Sequence, residues 1–103
     1  MDIGRLMKQA QQMQSKLNEL KEELGDRKIT ATSGGGMVTI VANGRQEILS
    51  VKIDPQVVDP EDVEMLEDLV LAAVNEAKRQ AEEMLKEEMG KLTGGLPIPG
   101  LFG

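Results

Sequence analysis

A chain of 103 residues with twelve Lys/Arg, eighteen Asp/Glu and a net charge of −6 is one small acidic domain. It has no Cys and no His, and Phe102 is its only aromatic residue, which removes disulfides, thiol and imidazole chemistry, the usual zinc and haem ligand sets, and any aromatic platform for stacking bases. No apolar run approaches the ~18 residues of a membrane span, and the N-terminal MDIGRLMKQAQQ lacks the apolar core of a signal peptide; neither a membrane nor a cofactor is expected.

Asp2 to Leu24 reads as the first helix. Ile3, Leu6, Ala10, Met13, Leu17, Leu20 and Leu24 recur at alternating spacings of three and four, an a/d seam closed by Gly25 and Asp26. Such a seam fits a helix lying on a core, and it also fits a helix that meets another long helix in the same or another chain. The polar face begins with Arg5, Lys8, several Gln and Lys16, and turns acidic at Glu19, Glu22 and Glu23. Cations near a helix start oppose the macrodipole, so Arg5 and Lys8 are not there to stabilise the helix.

Ile29 to Asp54 reads as a small antiparallel sheet. Ile29–Ser33 and Met37–Ala42 are its first two strands, separated by Gly34-Gly35-Gly36; Glu47–Ile53 is the third. Asn43-Gly44 is a strong two-residue hairpin signal. It would set Ile40 opposite Glu47 and Val38 opposite Leu49, and would leave apolar side chains on both faces. A second copy of the chain would then cover the face the helices leave free. The triple glycine lacks the Lys-Ser/Thr and the following helix of a nucleotide-binding loop, and reads as a turn.

Asp59 to Met89 is the longest helical pattern, with Asp59 as cap, Pro60 in the first turn and Gly90 as stop. Its first half is apolar on several sides: Val63, Leu66, Leu69, Val70, Ala73 and Val74 are expected in the core and dimer contact. From Ala77 onward the apolar set narrows, as in a projecting arm. Gly90 to Gly103 is Gly/Pro-rich, giving a domain over 1–89 and a flexible tail over 90–103 whose Leu96, Ile98, Leu101 and Phe102 would suit docking. The acids from Asp54 to Asp68 are ordinary for a helix start. With no pocket or nucleophile in sight, neither a metal site nor catalysis on a small-molecule substrate is expected.

Four stretches together, LMKQAQQMQSKL (6–17), SGGGMV (33–38), VKIDPQVV (51–58) and EMLEDLVLAAVNEA (64–77), resemble the YbaB/EbfC family of nucleoid-associated proteins. The resemblance extends over nearly the whole chain. It implies an α+β protein of order α-β-β-β-α, with a three-stranded antiparallel sheet and two long helices in a tweezer-like homodimer. It also implies binding of double-stranded DNA in the bacterial cytoplasm and nucleoid, with effects on nucleoid organisation, gene expression or DNA repair. No catalytic motif is implied, and no short signature marks the DNA contacts.

The residues themselves nominate those contacts. Basic groups are segregated: residues 1–53 carry eight bases and six acids (+2), and residues 54–103 four bases and twelve acids (−8). An acidic protein can hold DNA only where its cations are concentrated. Arg5, Lys8 and Lys16 on the first helix are the leading candidates, followed by Lys78, Arg79 and Lys86 on the long helix; Arg27 and Lys28 are weaker ones. Phosphate contacts of this kind position without specifying sequence, so limited selectivity is expected. A competing reading is a prefoldin-like interaction or chaperone module that grips unfolded chains through Met7, Met84 and Met89.

Overall fold

Helix α1 (Ile3–Asp26) starts where the Asp2 carboxylate accepts the Arg5 N–H at 3.3 Å. It passes straight through Gly25, where a stop was expected. A Cβ at Gly25 would lie 2.7 Å from the Arg45 guanidinium, so this glycine serves the close approach of the hairpin rather than helix termination. The computed structural model describes residues 2–92; of the tail expected over 90–103, residues 90–92 are helical and 93–103 lie outside the described residues.

Three strands follow: β1 (Lys28–Ser33), β2 (Val38–Asn43) and β3 (Ile48–Ile53), antiparallel and in the order β1-β2-β3. The sequence order α-β-β-β-α and the sheet are those expected. The hairpin register is not. Val38 pairs with Ile53, Ile40 with Val51 and Ala42 with Ile48, with a bulge beside Ala42. Asn43 replaces the tight turn with a larger loop. Its Oδ1 accepts the N–H groups of Arg45 (2.9 Å) and Glu47 (3.1 Å), and Gln46 takes φ +66°. Gly44 is there for another reason as well. Its N–H donates to the carbonyls of Leu24 (2.8 Å) and Arg27 (3.1 Å), tying the hairpin to the end of α1.

Helix α2 (Val63–Leu92) begins four residues later than Asp59. Asp59 instead caps a turn, accepting the Glu61 N–H at 2.9 Å, and Asp62 accepts the Met65 N–H at 3.3 Å at the true start. At the other end α2 continues through Gly90. A glycine inside a helix costs about 1 kcal/mol against alanine. Burial of Met89 and Leu92 against α1 offsets that cost.

Two apolar clusters hold these elements together. Ala73 and Ala77 of α2 are fully buried on Ala31, Val38, Ile40 and Ala42, with Leu66, Leu69, Val70, Val74 and Ile53 half-buried around them. The second half of α2 then packs on α1, with Leu20, Leu24 and Met89 buried among Leu17, Met84, Leu85 and Leu92. The expectation that this half projects is therefore corrected. The free arm is the first part of α1, where every residue from Asp2 to Lys16 is exposed and the molecule reaches 69 Å in length.

The far face of the sheet also differs from expectation. Cross-strand partners share a face, so Lys28, Thr30, Thr32, Thr39, Val41, Ser50 and Lys52 line the side away from α2. That face is polar, because the strand residues that alternate with the core are mostly Thr, Ser and Lys. The uncovered apolar surface is elsewhere. Helix α2 lies over β1 and β2, which leaves Ile48, Leu49 and Val51 of β3 exposed, together with Val63, Met65 and Leu71 of α2.

Two glycines separate packing from propensity. A Cβ on Gly44 would sit 2.8 Å from the Leu24 carbonyl oxygen, while one on Gly90 meets nothing within 4 Å. Gly44→Ala should destabilise the fold by about 1–3 kcal/mol through overpacking, and Gly90→Ala should stabilise it by about 0.5–1 kcal/mol. Urea midpoints at neutral pH read both, and equal effects of the two would contradict the packing described.

Candidate nucleic-acid interface

The exposed length of α1 carries the clearest concentration of unpaired cations. Arg5, Lys8, Gln12 and Lys16 follow at spacings of three, four and four, which places them on one stripe of the helix. From Arg5 to Lys16 the stripe runs ~16 Å, about half a turn of duplex DNA. Asp2 is the only acid between residues 2 and 16, and its carboxylate is turned to the helix start, where it caps the backbone. No carboxylate among the described residues is within ion-pair distance of Arg5, Lys8 or Lys16. Gln14 is partly occupied, donating to Asn18 at 3.2 Å.

The candidates on α2 fare differently. Arg79 is held by two carboxylates, Glu76 at 2.6 Å and Glu83 at 3.0 Å. The Arg79 hydrogen bond, then one from Gln80, holds the Glu76 carboxyl down to about 2. The same bond makes the Arg79 guanidinium harder to deprotonate. A phosphate would have to displace both acids to reach it. Lys78 and Lys86 are exposed and unpaired among the described residues, but Glu82, Glu83 and Glu87 lie beside them. The spacing Glu76-x-x-Arg79-x-x-x-Glu83 was the sequence signal for this clamp, and the charge tally over the half-chain concealed it.

Arg27 is also engaged. Its Nη1 donates to Glu88 at 2.8 Å, and Lys91 shares the same carboxylate at 3.2 Å. Lys91 first, and Arg27 with it, hold the Glu88 carboxyl below its ordinary value. This bridge fastens the end of α1 to the last turns of α2. Lys28 lies on the polar sheet face with Lys52.

Of the residues expected in the core or a dimer contact, Leu66, Leu69, Val70, Ala73 and Val74 pack on the sheet, and Val63 is exposed in the single chain. No group of three or more metal-ligating side chains gathers among the described residues. The concavities are open and shallow; one of about 350 Å³ lies between Thr39, Lys52 and Asp54. Among the described residues no helix is long and apolar enough to cross a membrane.

The fold is a two-layer α+β body from which the basic first part of α1 stands clear. The chain belongs to the YbaB/EbfC DNA-binding family, whose model matches residues 1–96. It is 60% identical to a nucleoid-associated protein of Thermoanaerobacter pseudethanolicus, over 98% of this chain and 91% of that one. It is 56% identical to a nucleoid-associated protein of Pelotomaculum thermopropionicum, over 98% and 96%. A crystal structure of an uncharacterized protein from Helicobacter pylori superposes with a TM-score of 0.81 at 29% identity, covering 90% of this chain and 98% of that one.

The carboxylate shifts set a pH dependence. Glu76, Glu47 and Glu88 are all lowered from 4.5 in the folded chain. Depressed carboxylates stabilise the fold above their unfolded values and lose that contribution as pH falls. For Glu76 the loss runs from about 4.5 down to about 2. Urea midpoints at pH 5 and pH 3 should therefore fall further for the native chain than for Glu76→Gln, and an equal fall would refute the Arg79 clamp.

Proposed function

We propose that this member of a DNA-binding family is a nucleoid-associated protein that holds duplex DNA as a homodimer, mainly through phosphate contacts with limited sequence selectivity. The observation that carries the reading is the α1 arm. In a chain of net charge −6, it presents Arg5, Lys8 and Lys16 with no carboxylate among the described residues at ion-pair distance. Lys78 and Lys86 add weaker contacts, and Arg79 contributes only where DNA displaces Glu76 and Glu83. Phosphate oxygens suit these donors, and nothing on the arm matches the paired donors and acceptors of a base edge except its glutamines. The nucleoid, within the cytoplasm, is the location this activity and the names of the relatives support.

The second copy answers a packing need. Val51 is 50% exposed and Leu71 59%, and with Ile48, Leu49 and Val63 they leave apolar surface open around β3 and the first half of α2. In a dimer these surfaces cover one another. The prefoldin-like reading is weaker. Met84 packs on α1 and Met89 is buried there, so of the three methionines only Met7, on the arm with Ile3 and Leu6, is exposed to a client.

Two measurements test these proposals. Changing Arg5→Gln and Lys8→Gln together should flatten the dependence of log affinity on log salt by roughly 2 per engaged arm, at ~0.9 per lost phosphate contact. The pair Lys78→Gln and Lys86→Gln should change it less. An unchanged slope in the first variant would place the DNA elsewhere, and suppression of aggregation that persists at high salt would favour the chaperone reading. Separately, Val51→Asp should halve the mass in solution while circular dichroism stays helical. A dimer that survives it does not use this surface.

A further inference from the structure

The apolar seam of α1 is covered at one end only. Leu17, Leu20 and Leu24 pack against the last turns of α2. Beyond Leu92 no described residue continues that cover, and Ile3 is 69% exposed, with Leu6, Met7, Ala10 and Met13 exposed alongside it. An open apolar stripe ~15 Å long, continuous with a packed helix–helix interface, is shaped for another helix.

We propose that this stripe is an interface between two copies of the chain, whose α1 arms lie antiparallel with Ile3 against Met13 and Leu6 against Ala10. Charge sets the orientation. With Ile3 and Ala10 at a and Leu6 and Met13 at d, Asp2, Gln9 and Lys16 occupy g and Met7 occupies e. Antiparallel helices bring g against g and e against e. Asp2 of each copy then faces Lys16 of the other, Gln9 faces Gln9, and Met7 packs on Met7 to widen the apolar strip. A parallel pair over the same open stretch would instead set Asp2 against Met7 of the other copy and form no ion pair. Exposed ion pairs add little strength, but attraction in one orientation only selects between them.

Arg5 and Lys8, at c and f, point away from the paired seam and stay open to DNA, while Lys16 is shared with the arm contact. The area is small for a stable complex in dilute solution. Molecules bound side by side on one duplex are concentrated enough for such a contact to form. Within the homodimer proposed above, tweezer arms point the same way, so antiparallel pairing joins different dimers. Body contacts and arm contacts, each two-fold, then alternate along an open row. The arm contact itself depends on neither DNA binding nor the body dimer.

The chain has no cysteine, so single-cysteine variants report the pairing directly. Full-length Leu6→Cys and Ala10→Cys chains are mixed without DNA and mildly oxidised, with helicity checked by circular dichroism. The mixed disulfide should exceed the Leu6→Cys self-disulfide several-fold and rise with protein concentration. It should fall when Met13→Glu is added to both chains, and also when Lys16→Glu sets two acids face to face. Three results overturn the proposal. These are a dominant Leu6→Cys self-disulfide, which marks a parallel pair; a yield independent of concentration and of Met13→Glu; and a mixed disulfide that forms only after residues 93–103 are removed, which assigns the seam to the chain's own C-terminal segment.

Discussion

The close seating of α2 on two strands is the contact on which the other elements depend. Ala73, Ala77 and Ala81 recur every four residues and are fully buried. Small side chains at these points let the helix backbone approach Ala31, Val38 and Ile40 first, and α1 afterwards. Larger residues there would lift the helix from the sheet and displace its last turns from α1. The Ser33 hydroxyl, which donates to the Leu69 carbonyl at 2.6 Å, and the contact of Gly34 with Leu69 fix the same helix at its sheet end. Because one helix serves both clusters, sheet and arm are held in one orientation without a large core.

The second principle is the segregation of charge by pairing rather than by composition. Eight of the eighteen acids lie on α2, and there several of them engage arginines and Lys91. Glu76 and Glu83 hold Arg79, and Glu88 holds Arg27 and Lys91. Arg5 and Lys8 escape such pairing because the arm carries them away from α2. A protein of negative total charge can thus present a positive surface to a polyanion.

The sequence made the elements legible and left their junctions obscure. Heptad spacing located the first helix, the long apolar pattern after Pro60 located the second, and the apolar runs around Gly34–Gly36 and Asn43-Gly44 located the strands. The errors fell where a residue had two uses. Gly25, Gly44 and Gly90 look like punctuation in a linear reading. In the fold Gly25 and Gly44 are sites of close approach, and Gly90 is carried through by the burial of its neighbours. Asn43-Gly44 has the composition of a tight hairpin, yet the Asn43 side chain builds a longer loop and shifts the register of β3. Which helix end would project could not be read either, because Met84, Leu85 and Met89 match a sparse exposed stripe as well as a buried one. Arg5 and Lys8 were identifiable because Asp2 is the one acid near them in sequence. The engagement of Arg79 was overlooked despite its regular spacing from two acids.

The tie between Gly44 and the carbonyls of Leu24 and Arg27 has a mechanical consequence. It clamps α1 at its root, where the Arg27–Glu88 bridge and the buried Leu20 and Leu24 also lie. The remainder is a cantilever. From Leu17 to Ile3 the free beam is ~21 Å long, so a tilt of only ten degrees or so at the root swings the tip by roughly 3–4 Å. A rigid helix on a small hinge can thus follow changes in the width and curvature of whatever it grips without losing a hydrogen bond of its own.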